Sequence, residues 1–192
     1  QGLRQPGSAL KPFVYMTAFQ KGYAPETVLF DVPTNFDATG IESRAYTPEN
    51  YDGTFRGPIS LRNALAQSIN IPAVKILYLA GMENVLKNTY AFGLTTLTDP
   101  ARYGLSLVLG GGEVRLVDLV EAYSVLSQEG VKHDSSFILE VRDSTNNQLE
   151  EFKDENTEVI DPQYPRLIND ILSDADARAG LFHSSLGLTQ FT

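Results

Sequence analysis

Two short stretches carry residues whose types and spacing suit covalent chemistry. In Gly7-Ser8-Ala9-Leu10-Lys11-Pro12 a serine and a lysine stand three positions apart. They lie just ahead of a largely apolar run, Phe13, Val14, Met16, Thr17, Ala18 and Phe19. With Ser8 in the first turn of a helix, Lys11 is one turn above it on the same face. A neutral amine in that place can take the serine proton as the hydroxyl attacks a carbonyl carbon. The second stretch is Gln67-Ser68-Ile69-Asn70, leading into Ile71-Pro72. It falls between two helical patterns, so Ser68 and Asn70 are committed to neither helical face. Taken alone, the first spacing also fits a plain surface helix, with Ser8 as its cap and Lys11 in solvent.

The elements that must position these residues follow in chain order. The first helix is expected to stop at Lys21-Gly22. Tyr23 to Asp52 reads as a long connection, with Val28 to Val32 extended and a turn at Asn50-Tyr51-Asp52-Gly53. Ser60 is an N-cap candidate for a helix presenting Leu61, Ala64 and Leu65. Asn70 is the N-cap candidate for the next helix, with Pro72 in its first turn and Gly81 closing it. A third helix spans Glu83 to Phe92 and ends at Gly93. Leu105 to Gly112 ends in three glycines that lack any phosphate-loop spacing, so they predict a tight backbone crossing. Leu116, Leu119, Val120, Tyr123 and Leu126 then recur on one helical face. Phe137 to Arg142 reads as a strand, Asn146-Asn147 as a turn and Leu149 to Phe152 as the return strand. A last helix runs from Asp161-Pro162 to near Gly180.

Composition bounds the function. At 192 residues, 42% hydrophobic and 20% charged, the chain is sized for one domain with a real core. A net charge of -9 with no Lys/Arg cluster argues against nucleic acid as a partner. No cysteine is present, which removes disulfides, thiolate metal sites and cysteine nucleophiles, and suits an oxidising compartment. No apolar run reaches the roughly 18 residues of a membrane span. His133 and His183 stand without a ligand set, and the acidic stretch Glu150 to Asp161 lacks calcium-loop spacing. No metal and no cofactor is therefore expected. Gln1 rather than Met opens the chain, which reads as an excised piece.

The order S-x-x-K (Ser8, Lys11) then S-x-N (Ser68, Asn70) resembles the penicillin-recognising serine acyl-transferases. The match is best to the transpeptidase domain of class A penicillin-binding proteins, the bifunctional peptidoglycan synthases. Pro6-Gly7-Ser8 with Lys11-Pro12-Phe13 is similar to that family's nucleophile helix. Asp31 to Phe36 and Pro48 to Gly53 are similar to its intervening loop, and Leu61 to Val74 to its second motif. Leu109 to Tyr123 resembles its Gly-Gly-Glu-Val segment and following helix. The resemblance covers nearly the whole chain.

It implies an α+β fold, of which residues 1–192 are a domain truncated at both ends. The expected content is the mainly helical part, with most of the central sheet missing and one short hairpin near 137–152. It implies that Ser8 attacks the penultimate D-alanine carbonyl of a peptidoglycan stem peptide and forms an acyl-enzyme. Lys11 would be the base, Ser68 would pass a proton to the leaving amine, and Asn70 would bind the substrate amide and hold Lys11. The Ser8 N–H would donate to the oxyanion. An amine from a second stem peptide would complete the cross-link, and β-lactams would acylate the same serine. The parent would act outside the cytoplasm of a bacterium, membrane-anchored beyond this segment. Two departures stand out. The family's third motif, K-T/S-G, is absent, so the isolated chain is expected to be inactive. Arg115 also stands where a Thr or Ser cap is expected. The alternatives are a catalytically dead scaffold and a serine β-lactamase. The latter is opposed by Ile69 in place of Asp and by the lack of a Glu-x-x-x-Asn sequence.

Overall fold

The computed structural model describes residues 2–37 and 46–182. His183 lies outside the described residues. The organising element is helix α1, Lys11–Gln20, in which every residue from Lys11 to Phe19 is buried. A helix that is shielded all round belongs at the centre of a core rather than on its surface. Around it pack α2 (Leu61–Ala66), α3 (Asn70–Ala80), α4 (Met82–Ala91) and α7 (Gln163–Ser173). Phe13 of α1 meets the rings of Phe92 and Tyr123 edge-to-face, each at 5.5 Å between centroids. The remaining α-helices among the described residues are the short α5 (Pro100–Tyr103), α6 (Leu116–Ser127) and α8 (Ala175–Phe182).

The glycine stops act as the sequence predicts. At the end of α1, Gly22 has φ +93°. Its N–H donates to Phe19 O at 3.0 Å, and the Tyr23 N–H donates to Ala18 O at 3.3 Å. That double closure satisfies carbonyls the helix end would otherwise leave free. Ser60 caps α2 as expected, its Oγ accepting from the Asn63 N–H at 3.2 Å.

Among the described residues strands are short and form four separate two-stranded antiparallel ladders. β1 (Leu3–Arg4) pairs with β4 (Val114–Arg115), and β2 (Val28–Asp31) with β3 (Gly57–Ser60). β5 (Val131–His133) pairs with β8 (Asn156–Glu158), and β6 (Glu140–Arg142) with β7 (Gln148–Glu151). The last ladder is the expected hairpin, with its first strand three residues shorter than Phe137 to Arg142. The α+β class, dominated by helices and without an extensive sheet, is as the sequence reading has it.

Three expectations are corrected. The presumed last helix is two, because Asp174 leaves the helical region (ψ 96°) and caps α8 through the Ala177 N–H at 2.8 Å. On α6, Leu116 and Val120 are 73% and 61% exposed, while Asp118, Ala122, Val125 and Leu126 are buried. Of the predicted apolar face, Leu119, Tyr123 and Leu126 do pack on the core, and only Leu116 and Val120 do not. Small Ala122 allows close packing there, and Asp118 is tolerated inside because Arg115 Nε donates to it at 2.8 Å. Thus Arg115 meets the helix start as a partner for Asp118 rather than as a side-chain cap.

The third correction concerns α3. Asn70 is its first residue, Ile69 holds the cap position, and neither side chain caps the helix. The cap comes from a distant residue. Buried Asn50 places Oδ1 to accept the N–H groups of Asn70 (2.9 Å) and Ile71 (3.3 Å). Asn50 is itself held by Asp31, whose fully buried carboxylate accepts its Nδ2 at 2.8 and 2.9 Å. The Arg56 N–H also donates to that carboxylate at 2.9 Å. Replacing Asn50 removes a helix cap and uncovers a buried charge together. We expect Asn50→Ala to cost about 2–4 kcal/mol in chemical denaturation, where an ordinary cap loss costs about 1 kcal/mol.

Candidate active site

The nucleophile candidate sits on a one-turn 3-10 segment, Gly7–Leu10, that runs directly into α1. Pro12 cannot donate to the Ser8 carbonyl, and the Lys11 N–H does so instead in the tighter turn. That turn is fixed from two sides. Tyr123 Oη donates to Ala9 O at 2.9 Å. Gly110, at φ +93°, lies so close that a Cβ there would stand 2.3 Å from the Gly7 nitrogen. The glycine run is therefore the tight crossing the sequence predicts, and what it crosses is the turn that carries Ser8.

Lys11 is 1% exposed. Its Nζ donates to the Ser68 carbonyl at 2.6 Å, Asn70 Oδ1 at 2.8 Å and Ser68 Oγ at 3.1 Å. Burial lowers its pKa from 10.5 to about 7. The cause is desolvation of the cation rather than a neighbouring charge.

Ser68 reaches the lysine because of an unusual backbone. Helix α2 closes with the Ser68 N–H on Leu65 O and the Ile69 N–H on Ala64 O, both at 2.9 Å. That closure requires a left-handed residue at position 68, a role usually given to glycine. Here a serine adopts φ +56°. The left-handed turn points both its carbonyl and its hydroxyl at one amine.

Asn70 is oriented from both ends. Its Oδ1 accepts from Lys11 and its Nδ2 donates to Glu49 O at 2.7 Å. In the sequence Asn50 opens a turn signal, and Glu49 belongs only to the stretch similar to the family's intervening loop; neither is a site candidate there. Tyr123 likewise counted only as a core residue. Nothing in local pattern marks these roles, because they depend on residues 20 and 114 positions away.

Ser8 is exposed, and its hydroxyl has no hydrogen-bond partner among the described residues. The direct Ser8–Lys11 contact that the spacing allows is thus replaced by Lys11 contacts to Ser68 and Asn70. Ser8, Lys11 and Ser68 nevertheless line one cavity of about 300 Å³, together with Tyr123, Leu172 and Arg178. A buried amine that loses its proton near pH 7, two hydroxyls and an open volume can perform acyl transfer through serine.

Comparison with known proteins agrees with this arrangement. Residues 1–188 match the penicillin binding protein transpeptidase domain. The chain belongs to that family. Penicillin-binding protein 1A of Neisseria flavescens is 36% identical over 144 residues, 75% of this chain and 18% of that protein. Penicillin-binding protein 2D of Bacillus subtilis is 37% identical over 164 residues, 84% of this chain and 23% of that protein. The chain therefore spans about a fifth of the length of the curated relatives it matches. In fold it resembles crystalline penicillin-binding protein 1A of Haemophilus influenzae, with TM-score 0.81 at 24% identity over 90% of this chain and 30% of that one. It also resembles penicillin-binding protein A of M. tuberculosis, solved as an imipenem acyl-enzyme complex, with TM-score 0.79 at 17% identity over 93% of this chain and 44% of that one. The resemblance read from the two serine motifs is thus to the right family.

In this transpeptidase domain the serine at position 68 works against its own backbone. Ser68→Gly and Ser68→Ala both remove the hydroxyl and its contact with Lys11. They differ in left-handed strain, so the glycine variant should be the more stable by about 1 kcal/mol in denaturant titration. Equal stabilities would mean that position 68 stores no strain.

Proposed function

We propose that this chain carries the serine acylation centre of a D,D-transpeptidase that cross-links peptidoglycan stem peptides outside the bacterial cytoplasm. The observation that carries the reading is the buried Lys11 amine, with pKa near 7, lining the same cavity as Ser8. Ser8 attacks the penultimate D-alanine carbonyl, and its proton passes to Lys11 as the C–O bond forms. Expulsion of the terminal D-alanine leaves an ester on Ser8, and Ser68 hands a proton to the departing amine. An acceptor amine then attacks the ester and releases the serine. β-Lactams acylate Ser8 in the same way.

Asn70 serves chiefly to hold Lys11. Its Oδ1 is taken by that amine and one Nδ2 hydrogen by Glu49 O, which leaves a single N–H for a substrate carbonyl. No K-T/S-G sequence occurs in the 192 residues. On this reading they are part of a larger transpeptidase domain, the isolated chain does not complete cross-linking, and residues beyond it bind the substrate carboxylate. No described helix is long and apolar enough to span a bilayer.

Intact mass after incubation with a penicillin tests the proposal, on this chain and on one extended to the relatives' full transpeptidase domain. We expect acylation of the extended chain at Ser8 and none in Ser8→Ala. A labelled Ser8→Ala protein would falsify the assignment. The same assay across pH reads the base. Acylation should rise as pH passes about 7, where Lys11 loses its proton, and then level off. A rate that is flat through that range, or unchanged in Lys11→Ala, removes lysine from the mechanism.

A further inference from the structure

The largest part of the chain's charge is gathered away from the acylation cavity. Residues 134–158 hold eight carboxylates against Arg142 and Lys153, six of the net nine negative charges. This segment contains the β6–β7 hairpin, a two-stranded ladder whose outer edges have no strand partner among the described residues. Unpaired strand edges are templates for a further strand.

The hairpin is also apolar where water reaches it. Phe137 is 90% exposed, and Ile138, Leu139 and Leu149 are exposed beside it. Phe137, Ile138, Val141 and Phe152 line a cavity of about 400 Å³ whose rim carries Glu140 and Glu150. Across the ladder Glu140 lies directly opposite Glu151. Like charges in register weaken a sheet, and a two-stranded hairpin is marginal in water by itself. Arg142 offsets only Glu140.

We propose that this hairpin docks an extended, basic segment of a protein partner, in which Lys or Arg alternates with apolar residues. Strand side chains alternate between faces, so an added strand offers apolar groups to the cavity and cations to the facing carboxylates. Its backbone satisfies the free edge. A second copy of this chain is disfavoured as occupant, since two such acidic surfaces repel. None of the residues lining this cavity lines the acylation cavity. The inference is independent of the proposed enzymatic role.

The test uses two fluorescein-labelled peptides of identical composition, one alternating Lys and Val, the other with Lys and Val in separate blocks. The alternating peptide should bind about tenfold more tightly by anisotropy, because only it matches the two faces of a strand. Phe137→Ser, and separately Glu140→Gln with Glu151→Gln, should each weaken it about tenfold, whereas Asp176→Asn should not. Phe137 is too exposed for its loss to unfold the chain, and unchanged thermal unfolding checks this. Equal binding of the two peptides, or full binding by Phe137→Ser, would reduce the surface to a non-specific acidic patch. Self-association through the hairpin in sedimentation would make a second copy the occupant. Either result overturns the proposal.

Discussion

Burial of the Lys11 amine without a carboxylate partner is the constraint on which the structure depends. A lysine among apolar side chains loses its hydration, and here that loss brings the pKa to about 7. The unfolded chain holds the same lysine near its ordinary 10.5 and so binds more protons between those values. Folding stability therefore rises as pH climbs from about 7 towards 10.5, and below about 7 the full cost of burying a cation remains. A carboxylate beside Lys11 would remove that cost and also the neutral amine. Three uncharged oxygens solvate the nitrogen without fixing its charge.

Those oxygens must be held where a charge would otherwise place itself. The Ser68 carbonyl and hydroxyl are aimed by a left-handed residue at the end of α2. Asn70 Oδ1 is aimed by Glu49 and by the Asn50 amide at the start of α3. Asn50 is fixed in turn by a buried Asp31 carboxylate on β2. Stability is thus spent at two places, a strained serine and a desolvated amine, that converge on one nitrogen.

Much of this was legible in the sequence, and the division has physical causes. Helix ends were readable because Gly22, Gly81 and Gly93 mark local backbone geometry. Ser8, Lys11, Ser68 and Asn70 were singled out by residue type and spacing, and the structure brings Lys11 onto Ser68 and Asn70 with Ser8 in the same cavity. Three of the four ladders were not expected, and two of those, β1–β4 and β5–β8, join segments with weak strand patterns. The α6 face was read only in part, because a buried aspartate with an arginine partner counts as polar in any period. Ser68 carried a signal that local reading could have used. A helix ending without glycine, two residues before a second helix, implies a side chain needed enough to accept strain.

The hydrogen-bond inventory at Lys11 adds a step that the residue list alone does not contain. A neutral amine has two N–H groups and one lone pair. The Ser68 carbonyl and Asn70 Oδ1 can only accept, so they take the two N–H groups. The lone pair is left to a hydroxyl. While Lys11 is neutral, the Ser68 O–H can point at it across 3.1 Å. If Ser8 gives its proton to the Ser68 oxygen as Ser68 passes its own to Lys11, the third N–H of the ammonium then donates to the Ser68 oxygen, and the remaining Ser68 O–H points into the cavity. On the proposed mechanism that is where a leaving amine needs a proton. The first transfer thus prepares the second through one hydroxyl, with no movement of the backbone, and the left-handed turn at Ser68 holds that hydroxyl beside Lys11.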